Sequence, residues 1–96
     1  MVTKAKFNVC ENRQVSKSVT ELPAEAHNQY RKLNEAIQEK GPVRGEFKNY
    51  GKLWKISKWL HHCHLCGGKT TYVAVWKEMN HYVQMVYVGT HENAPY

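Results

Sequence analysis

The chain has 96 residues, of which 42% are hydrophobic, 23% charged and 11% aromatic, with only three prolines. This length predicts one domain with a single core over residues 1–96, and the composition excludes a disordered or repetitive chain. The formal net charge of +6 favours a polyanionic partner such as nucleic acid.

The chain contains no apolar run near the roughly 20 residues that cross a bilayer. Its first twelve residues also lack the long apolar stretch of a secretory signal. We therefore expect a cytoplasmic protein with no membrane contact. The cysteines are three in number, Cys10, Cys63 and Cys66, which suits a reducing compartment and predicts a fold without disulfides.

Apolar residues recur with a helical period between residues 12 and 41. One stripe consists of Val15, Val19 and Leu22, and a second of Ala26, Tyr30, Leu33 and Ile37. Asn12 suits the cap of the first helix, Pro23 the first turn of the second, and Gly41 its end. Two amphipathic helices are therefore predicted in the first half of the chain.

The second half changes to a period of two and is rich in β-formers. Strands are predicted over residues 59–65, 70–77 and 82–88, joined by short loops that imply an antiparallel meander. Residues 6–10 are a possible fourth strand, and residues 42–58 are predicted to form a loop with some strand at its end. The predicted fold is α+β, with two helices packed on one face of an antiparallel β-sheet of three to four strands.

The positive charge is concentrated in residues 44–69, which carry six basic side chains and one acidic side chain. The basic residues are Arg44, Lys48, Lys52, Lys55, Lys58 and Lys69, and Tyr50, Trp54 and Trp59 lie between them. Such a mixture is typical of surfaces that contact phosphates and bases. The RNA-binding residues predicted from it are Arg44, Lys52, Lys55, Lys58 and Lys69. The alternative is a solvated lysine-rich loop.

Alternation along the first strand of the meander sends His62 and His64 to one face of the sheet. His61, Cys63 and Leu65 alternate to the other face. Because Cys63 and Leu65 suit a core, His62 and His64 are expected to point away from it. Any one of these histidines alone would more commonly be a structural or merely exposed residue, so the argument depends on several meeting at one place.

The end of the first strand and the end of the third lie at the same edge of a meander, which brings His64 and His91 together. Two strand spacings, about 10 Å, would separate them. One imidazole can remove the proton of an RNA 2′-hydroxyl and another can protonate the leaving 5′-oxygen, while lysines stabilise the charged phosphorane. His62 and Tyr96 would assist, Tyr96 by stacking on a base or by donating a hydrogen bond to the phosphate. This chemistry needs no metal or other cofactor.

A zinc site is a competing interpretation, because Cys63 and Cys66 with the two following glycines have the spacing of a zinc knuckle. The chain has no second closely spaced pair, so His64 or His91 would have to complete the ligand set. A non-catalytic module that binds nucleic acid is the other alternative.

Three segments resemble those of a known family: Cys63-His64-Leu65 in a strand, the apolar strand Val73-Ala74-Val75-Trp76, and Val88-Gly89-Thr90-His91 shortly before Tyr96. On these segments and the two-helix front half, the chain resembles the RelE superfamily of toxins from type II toxin–antitoxin systems, in its YafQ-like branch. The resemblance implies a microbial-RNase-like fold and ribosome-dependent cleavage of mRNA that inhibits translation. It also places His64, His91 and Tyr96 at catalytic positions.

The resemblance further implies partners: a cognate antitoxin that covers the basic cleft, the ribosome with its mRNA, and operator DNA bound through the antitoxin complex. The chain departs from the YafQ-like pattern in having no aspartate, and His62 and residues 67–69 stand where that branch has acidic residues. An upstream histidine of the branch falls near Tyr50. The identity of the general base is therefore open, with His62 one candidate. A ParE-like inhibitor of DNA gyrase, which lacks the histidine pair, is the non-catalytic alternative within the same fold.

Overall fold

The computed structural model describes residues 6–96. In chain order the elements are β1 (Asn8–Glu11), α1 (Arg13–Thr20), α2 (Ala24–Lys40), β2 (Gly51–Lys52), β3 (Leu60–Cys66), β4 (Tyr72–Glu78), β5 (Tyr82–Thr90) and a 3-10 turn (His91–Asn93). Residues 1–5 lie outside this range. They belong to the predicted domain of residues 1–96 and to the first twelve residues, in which no secretory signal is expected. Neither α1 nor α2 is long and apolar enough to cross a membrane.

The strands form one sheet in the order β1-β5-β4-β3-β2. The predicted antiparallel meander is confirmed as β3, β4 and β5, and the possible fourth strand is confirmed as β1. Three expectations were wrong. The strand expected at the end of residues 42–58 lies instead at Gly51–Lys52. The sheet has five strands rather than three to four, and it is mixed, since β1 pairs with β5 in parallel. The fifth strand is β2, a two-residue segment paired with His61 and His62 of β3.

The start of α1 and the end of α2 lie where the sequence predicts them. The Asn12 side chain accepts a hydrogen bond from the Val15 N–H at 2.8 Å and so caps α1. Pro23 precedes the first residue of α2, one position earlier than predicted. Gly41 ends α2 with φ of 96°, a left-handed conformation that favours glycine, and a Cβ there would lie 3.0 Å from the Phe7 ring.

The core lies between the helices and one face of the sheet, which confirms the two-layer α+β architecture. Helix α2 contributes the four apolar residues of its predicted stripe, Ala26, Tyr30, Leu33 and Ile37. The sheet contributes Cys63, Leu65, Ala74, Trp76, Val83, Met85 and Val88. The Trp76 indole N–H donates a hydrogen bond to the Pro42 carbonyl at 2.9 Å, which ties the loop after α2 to the sheet.

Strand β4 is buried on both of its faces. Ala74 and Trp76 face the helices, whereas Val73 and Val75, also fully buried, face the other way. On that second face Val73 is paired with His64, and Val75 with His62. Strand β4 therefore presents apolar side chains on the face away from the helices, between β3 and β5.

Candidate active site

Strand β3 alternates between core and site as predicted. His61, Cys63 and Leu65 are buried, while His62 and His64 are half-buried on the opposite face. The alternation follows from the pleat of the strand, because the apolar residues fix which face meets the helices. His62 and His64 are thereby held on a rigid element outside the core.

Four aromatic rings meet on this face, two from β3 and two from residues 91–96. The His64 and His91 ring centroids are 5.6 Å apart, and those of His62 and His64 are 6.4 Å apart. Tyr96 closes the group, at 4.9 Å from His62 and 5.7 Å from His91. The four residues predicted to handle protons and phosphate thus form one cluster, called here the four-ring site.

The segment from Lys48 to Lys52, which runs beside β3, orients the two histidines of that strand. His62 Nδ1 lies 2.9 Å from the Gly51 carbonyl, so this nitrogen carries the hydrogen and Nε2 is left for other contacts. The His64 backbone N–H donates to the Lys48 carbonyl at 2.8 Å. The pairing of this segment with β3 therefore contributes directly to the geometry of the site.

His91 is held at the end of β5 by contacts on both sides of it. Its backbone N–H donates to the Thr71 carbonyl at 2.8 Å. The Tyr87 hydroxyl reaches over Gly89 and donates to the Thr90 carbonyl at 2.7 Å. A Cβ on Gly89 would lie 2.7 Å from that hydroxyl, so glycine is what allows Tyr87 to lie there. These contacts fix the backbone on which His91 stands.

The His64 and His91 rings are closer than the two strand spacings predicted from the meander. That distance applies to residues that both lie within strands. His91 instead begins a 3-10 turn beyond β5, where its backbone bonds to the residue before β4. At 5.6 Å, with the ring planes 65° apart, the two imidazoles are close enough to contact one phosphate group.

Burial and neighbouring charge set the protonation of two members of the site. The pKa of His64 is lowered below 6.5, first by burial and then by the positive charge that His91, His62 and Lys48 can carry. His64 is therefore neutral at pH 7 and able to accept a proton. Burial raises the pKa of Tyr96, so its hydroxyl keeps its proton and can donate a hydrogen bond.

We expect His64 to titrate below pH 6.5 in an NMR experiment that follows its ring resonances. The variant His91→Ala should raise the pKa of His64, because it removes a neighbouring positive charge. The Lys48→Met variant should act in the same direction. Lys17→Met, which removes an exposed lysine from α1 on the helix side of the sheet, serves as the control. A His64 pKa that stays the same in the His91→Ala and Lys48→Met variants would contradict this account of the electrostatics.

Three of the five predicted RNA-binding residues line hollows that adjoin the four-ring site. Lys69 lines a hollow of about 230 Å³ together with His91, Glu92 and three threonines, Thr70, Thr71 and Thr90. Lys52 and Lys55 line a second groove, which includes Tyr96. Cationic side chains therefore lie beside two of the four rings.

Arg44 and Lys58 are placed differently. The Arg44 guanidinium pairs with Glu46 at 2.7 Å, and only 11% of the Arg44 side chain is exposed, so this pair must open before Arg44 can contact a phosphate. The Lys58 ammonium lies over the Trp59 ring at 4.8 Å. Phosphate contacts by these two residues remain predictions from the sequence.

Lys48 was not among the predicted RNA-binding residues, although it belongs to the basic segment. It lines a groove next to His64, and its ammonium lies 3.5 Å from where a Cβ of Gly67 would stand. The basic segment, residues 44–69, contains six lysines and arginines in all. Nothing in the local pattern distinguished Lys48, because its position depends on the pairing of its backbone with β3.

A buried polar cluster around His61, on the face of the sheet that packs against the helices, was also not predicted from the sequence. His61 is fully buried and stacks on Trp76, with ring centroids 5.8 Å apart and planes 6° apart. Its Nδ1 lies 2.7 Å from the Tyr50 hydroxyl and its Nε2 lies 3.0 Å from the Glu78 carboxylate. The arrangement fits a neutral imidazole that donates to Glu78 and accepts from Tyr50. Tyr50 therefore belongs to this cluster rather than to the four-ring site.

The cysteine spacing does not assemble a metal site within residues 6–96, where no group of three or more His, Cys, Asp or Glu side chains could hold an ion. Cys63 points into the core and burial raises the pKa of its thiol to about 12, which disfavours the thiolate that binds zinc. His64, the next residue, points to the opposite face of the sheet. All three cysteines are free.

No protein-family model and no curated protein sequence matches the chain. Solved structures do match. The YoeB dimer from Staphylococcus aureus superposes with a TM-score of 0.71 at 12% identity, over 91% of this chain and 99% of that chain. The YoeB-YefM complex from the same organism gives a TM-score of 0.67 at 12% identity, with the same coverage. The archaeal RelE-RelB complex from Pyrococcus horikoshii OT3 gives 0.56 at 14% identity, over 93% and 99%. The chain therefore has the fold of the YoeB and RelE proteins.

Proposed function

We propose that this protein is the toxin of a type II toxin–antitoxin pair and that it cleaves mRNA on the ribosome. The observation that carries the proposal is the meeting of His64 and His91, at 5.6 Å, on the face of the sheet opposite the helices. The fold shared with YoeB and RelE structures supports it. The YafQ-like branch within this superfamily is part of the proposal and rests on the sequence segments alone.

The mechanism uses the two histidines for the two proton transfers. Neutral His64 removes the proton of the 2′-hydroxyl, and the 2′-oxygen attacks the adjacent phosphorus. The bond between phosphorus and the 5′-oxygen then breaks, and protonated His91 gives its proton to that oxygen. The products are a 2′,3′-cyclic phosphate and a 5′-hydroxyl. Assigning the base to His64 accounts for proton removal in a chain without aspartate.

The remaining groups of the site stabilise and position the phosphate. Tyr96 keeps its proton and donates a hydrogen bond to a non-bridging oxygen. His62, whose Nδ1 is engaged by Gly51, presents Nε2 to the same region. Lys69 and Lys48, which line hollows beside His91 and His64, offset the extra negative charge of the phosphorane. Every step is carried by side chains of this chain, with no metal or cofactor.

The proposed partners follow from the charge of this surface and from the neighbours in structure. The basic segment suits mRNA within the ribosome, and hence a cytoplasmic location. YoeB and RelE are found in complexes with YefM and RelB. By analogy, a cognate acidic antitoxin would cover the basic cleft of this chain, and the pair would contact operator DNA through the antitoxin.

The direct test is expression of the chain in growing cells, followed by analysis of mRNA ends. We expect growth arrest and mRNA fragments that end in a 2′,3′-cyclic phosphate, since attack by the 2′-oxygen leaves that end. The double variant His64→Ala, His91→Ala should lose both effects while remaining folded. Growth arrest with intact mRNA would instead indicate a non-catalytic inhibitor such as a ParE-like protein. Fragments with 3′-hydroxyl ends would contradict the proposed chemistry.

A further inference from the structure

An exposed apolar groove lies beside the four-ring site and has no part in the proton transfers. It has a volume of about 630 Å³, within the range of small-ligand sites. Its lining residues are Lys52, Leu53, Trp54, Lys55, Ile56 and Tyr96. Trp54 is 67% exposed and Ile56 54% exposed. Two large apolar side chains that are exposed in one groove are typical of an interaction site.

The turn that carries Trp54 and Ile56 is held in place by backbone hydrogen bonds. The Leu53 N–H donates to the Leu60 carbonyl at 2.9 Å, and the Ile56 and Ser57 N–H groups donate to the Leu53 carbonyl at 2.9 and 3.0 Å. The exposed indole therefore stands on an ordered support. An ordered support lowers the entropic cost of stacking another ring against it.

The charge around the groove identifies the kind of occupant. Lys52 and Lys55 lie among the lining residues, and residues 51–60 contain no acidic side chain. The Lys52 ammonium lies over one face of Trp54, 4.9 Å from the ring centroid, and so adds positive charge against that face of the ring. An aromatic surface between lysines fits a flat aromatic ring attached to a phosphate backbone.

The groove also shares a wall with the site where the scissile phosphate would lie. Tyr96 lines the groove, and its ring lies 4.9 Å from the His62 ring. An occupant of the groove is therefore adjacent to a phosphate held over the histidines. A nucleotide next to the cleaved bond meets this requirement, because its base can turn out of the chain while its phosphate stays at the site.

We propose that this groove is a base subsite, in which Trp54 stacks on one unpaired base of the RNA next to the scissile phosphate and Lys52 and Lys55 contact the neighbouring phosphates. This inference rests on the proposed function and specifies how that site selects single-stranded RNA. Trp54 is thus assigned to substrate binding and not to proton transfer.

The test compares two tryptophans in similar surroundings. Trp59 is 45% exposed and lies beneath Lys58 at 4.8 Å, much as Trp54 lies beneath Lys52, but Trp59 is not part of the groove. The probe is a short RNA oligonucleotide that carries 2′-O-methyl groups at every ribose, so that it binds without being cut. Its affinity for the wild type, Trp54→Ala, Trp59→Ala and Lys55→Ala would be measured across a series of salt concentrations.

We expect Trp54→Ala to weaken binding about 5- to 150-fold, the usual range for the loss of one stacked base. The slope of affinity against salt should not change, because stacking releases no counterions. Lys55→Ala should instead reduce the slope by roughly one unit. Trp59→Ala should leave the affinity within about twofold of the wild type, because Trp59 lies outside the groove and stacks on no base.

Equal losses in Trp54→Ala and Trp59→Ala, or no loss in Trp54→Ala, would overturn the subsite. So would a wild type that fails to bind the oligonucleotide. If Trp54→Ala leaves RNA affinity unchanged and weakens capture by a partner protein, the groove is a protein-docking surface and the inference is wrong. If binding depends on Trp54 but the wild type never cuts mRNA, the proposed function fails while the stacking site stands.

Discussion

Replacing His91 by alanine should lower the rate of RNA cleavage by about 10²–10⁴-fold, the usual contribution of one general acid. The same variant should lose much less activity on RNA whose scissile 5′-oxygen is replaced by sulfur. A thiolate leaves without being protonated, so this substrate does not need the acid. Single-turnover rates on the two substrates, with wild type and variant side by side, measure the difference.

The matched control is His64→Ala, which removes the neighbouring ring from the same cluster. Because His64 is assigned to removal of the 2′-hydroxyl proton, its loss should be equally severe on both substrates. Rescue of His64→Ala by the sulfur substrate, without rescue of His91→Ala, would reverse the two roles. Equal loss in both variants on both substrates would contradict the division between acid and base.

Replacing His61 by alanine should lower the free energy of unfolding by about 2–4 kcal/mol at pH 7. The change opens a cavity at a fully buried position against Trp76 and leaves the hydroxyl of Tyr50 and the carboxylate of Glu78 without their partner. Urea unfolding followed by tryptophan fluorescence measures it. His27→Ala, at an exposed position of α2, is the control and should stay within about 0.5 kcal/mol of the wild type.

The same histidine makes the stability of the fold depend on pH. Burial lowers the pKa of His61 in the folded state, although the neighbouring Glu78 opposes the shift. Below about pH 6.5 the unfolded chain takes up a proton that the folded chain resists, so the free energy of unfolding falls as pH falls. The variant His61→Phe keeps a ring on Trp76 but cannot titrate, so its stability should fall less steeply between pH 7 and 5. An equal decline in the wild type and His61→Phe would exclude His61 as the cause.

The sequence sufficed for features that follow from local periodicity. The alternation from His61 to Leu65 correctly predicted which histidines leave the core, because two apolar residues, Cys63 and Leu65, fix the buried face. The meander then correctly predicted that His64 and His91 share an edge. The helix boundaries at Asn12 and Gly41 followed from capping and left-handed conformation, which depend on single residues.

Features that depend on contacts between distant segments could not be predicted from the sequence. Gly51 and Lys52 have low strand propensity, and they form β2 only because β3 offers an unpaired edge. The parallel pairing of β1 with β5 joins residues more than 70 positions apart. The cluster around His61 combines side chains from three separate segments, so no residue spacing in the sequence predicts it.

The two-sided character of β3 ties the chemistry of this protein to the alignment of one strand. Insertion or deletion of a single residue in β3 would exchange the sets that face inward and outward, placing His62 and His64 among apolar side chains and exposing Cys63 and Leu65. Single substitutions at the outward positions leave the inward set intact. New reactivity can therefore arise on this scaffold by point replacement in β3, whereas changes in the length of that strand would cost fold and activity together.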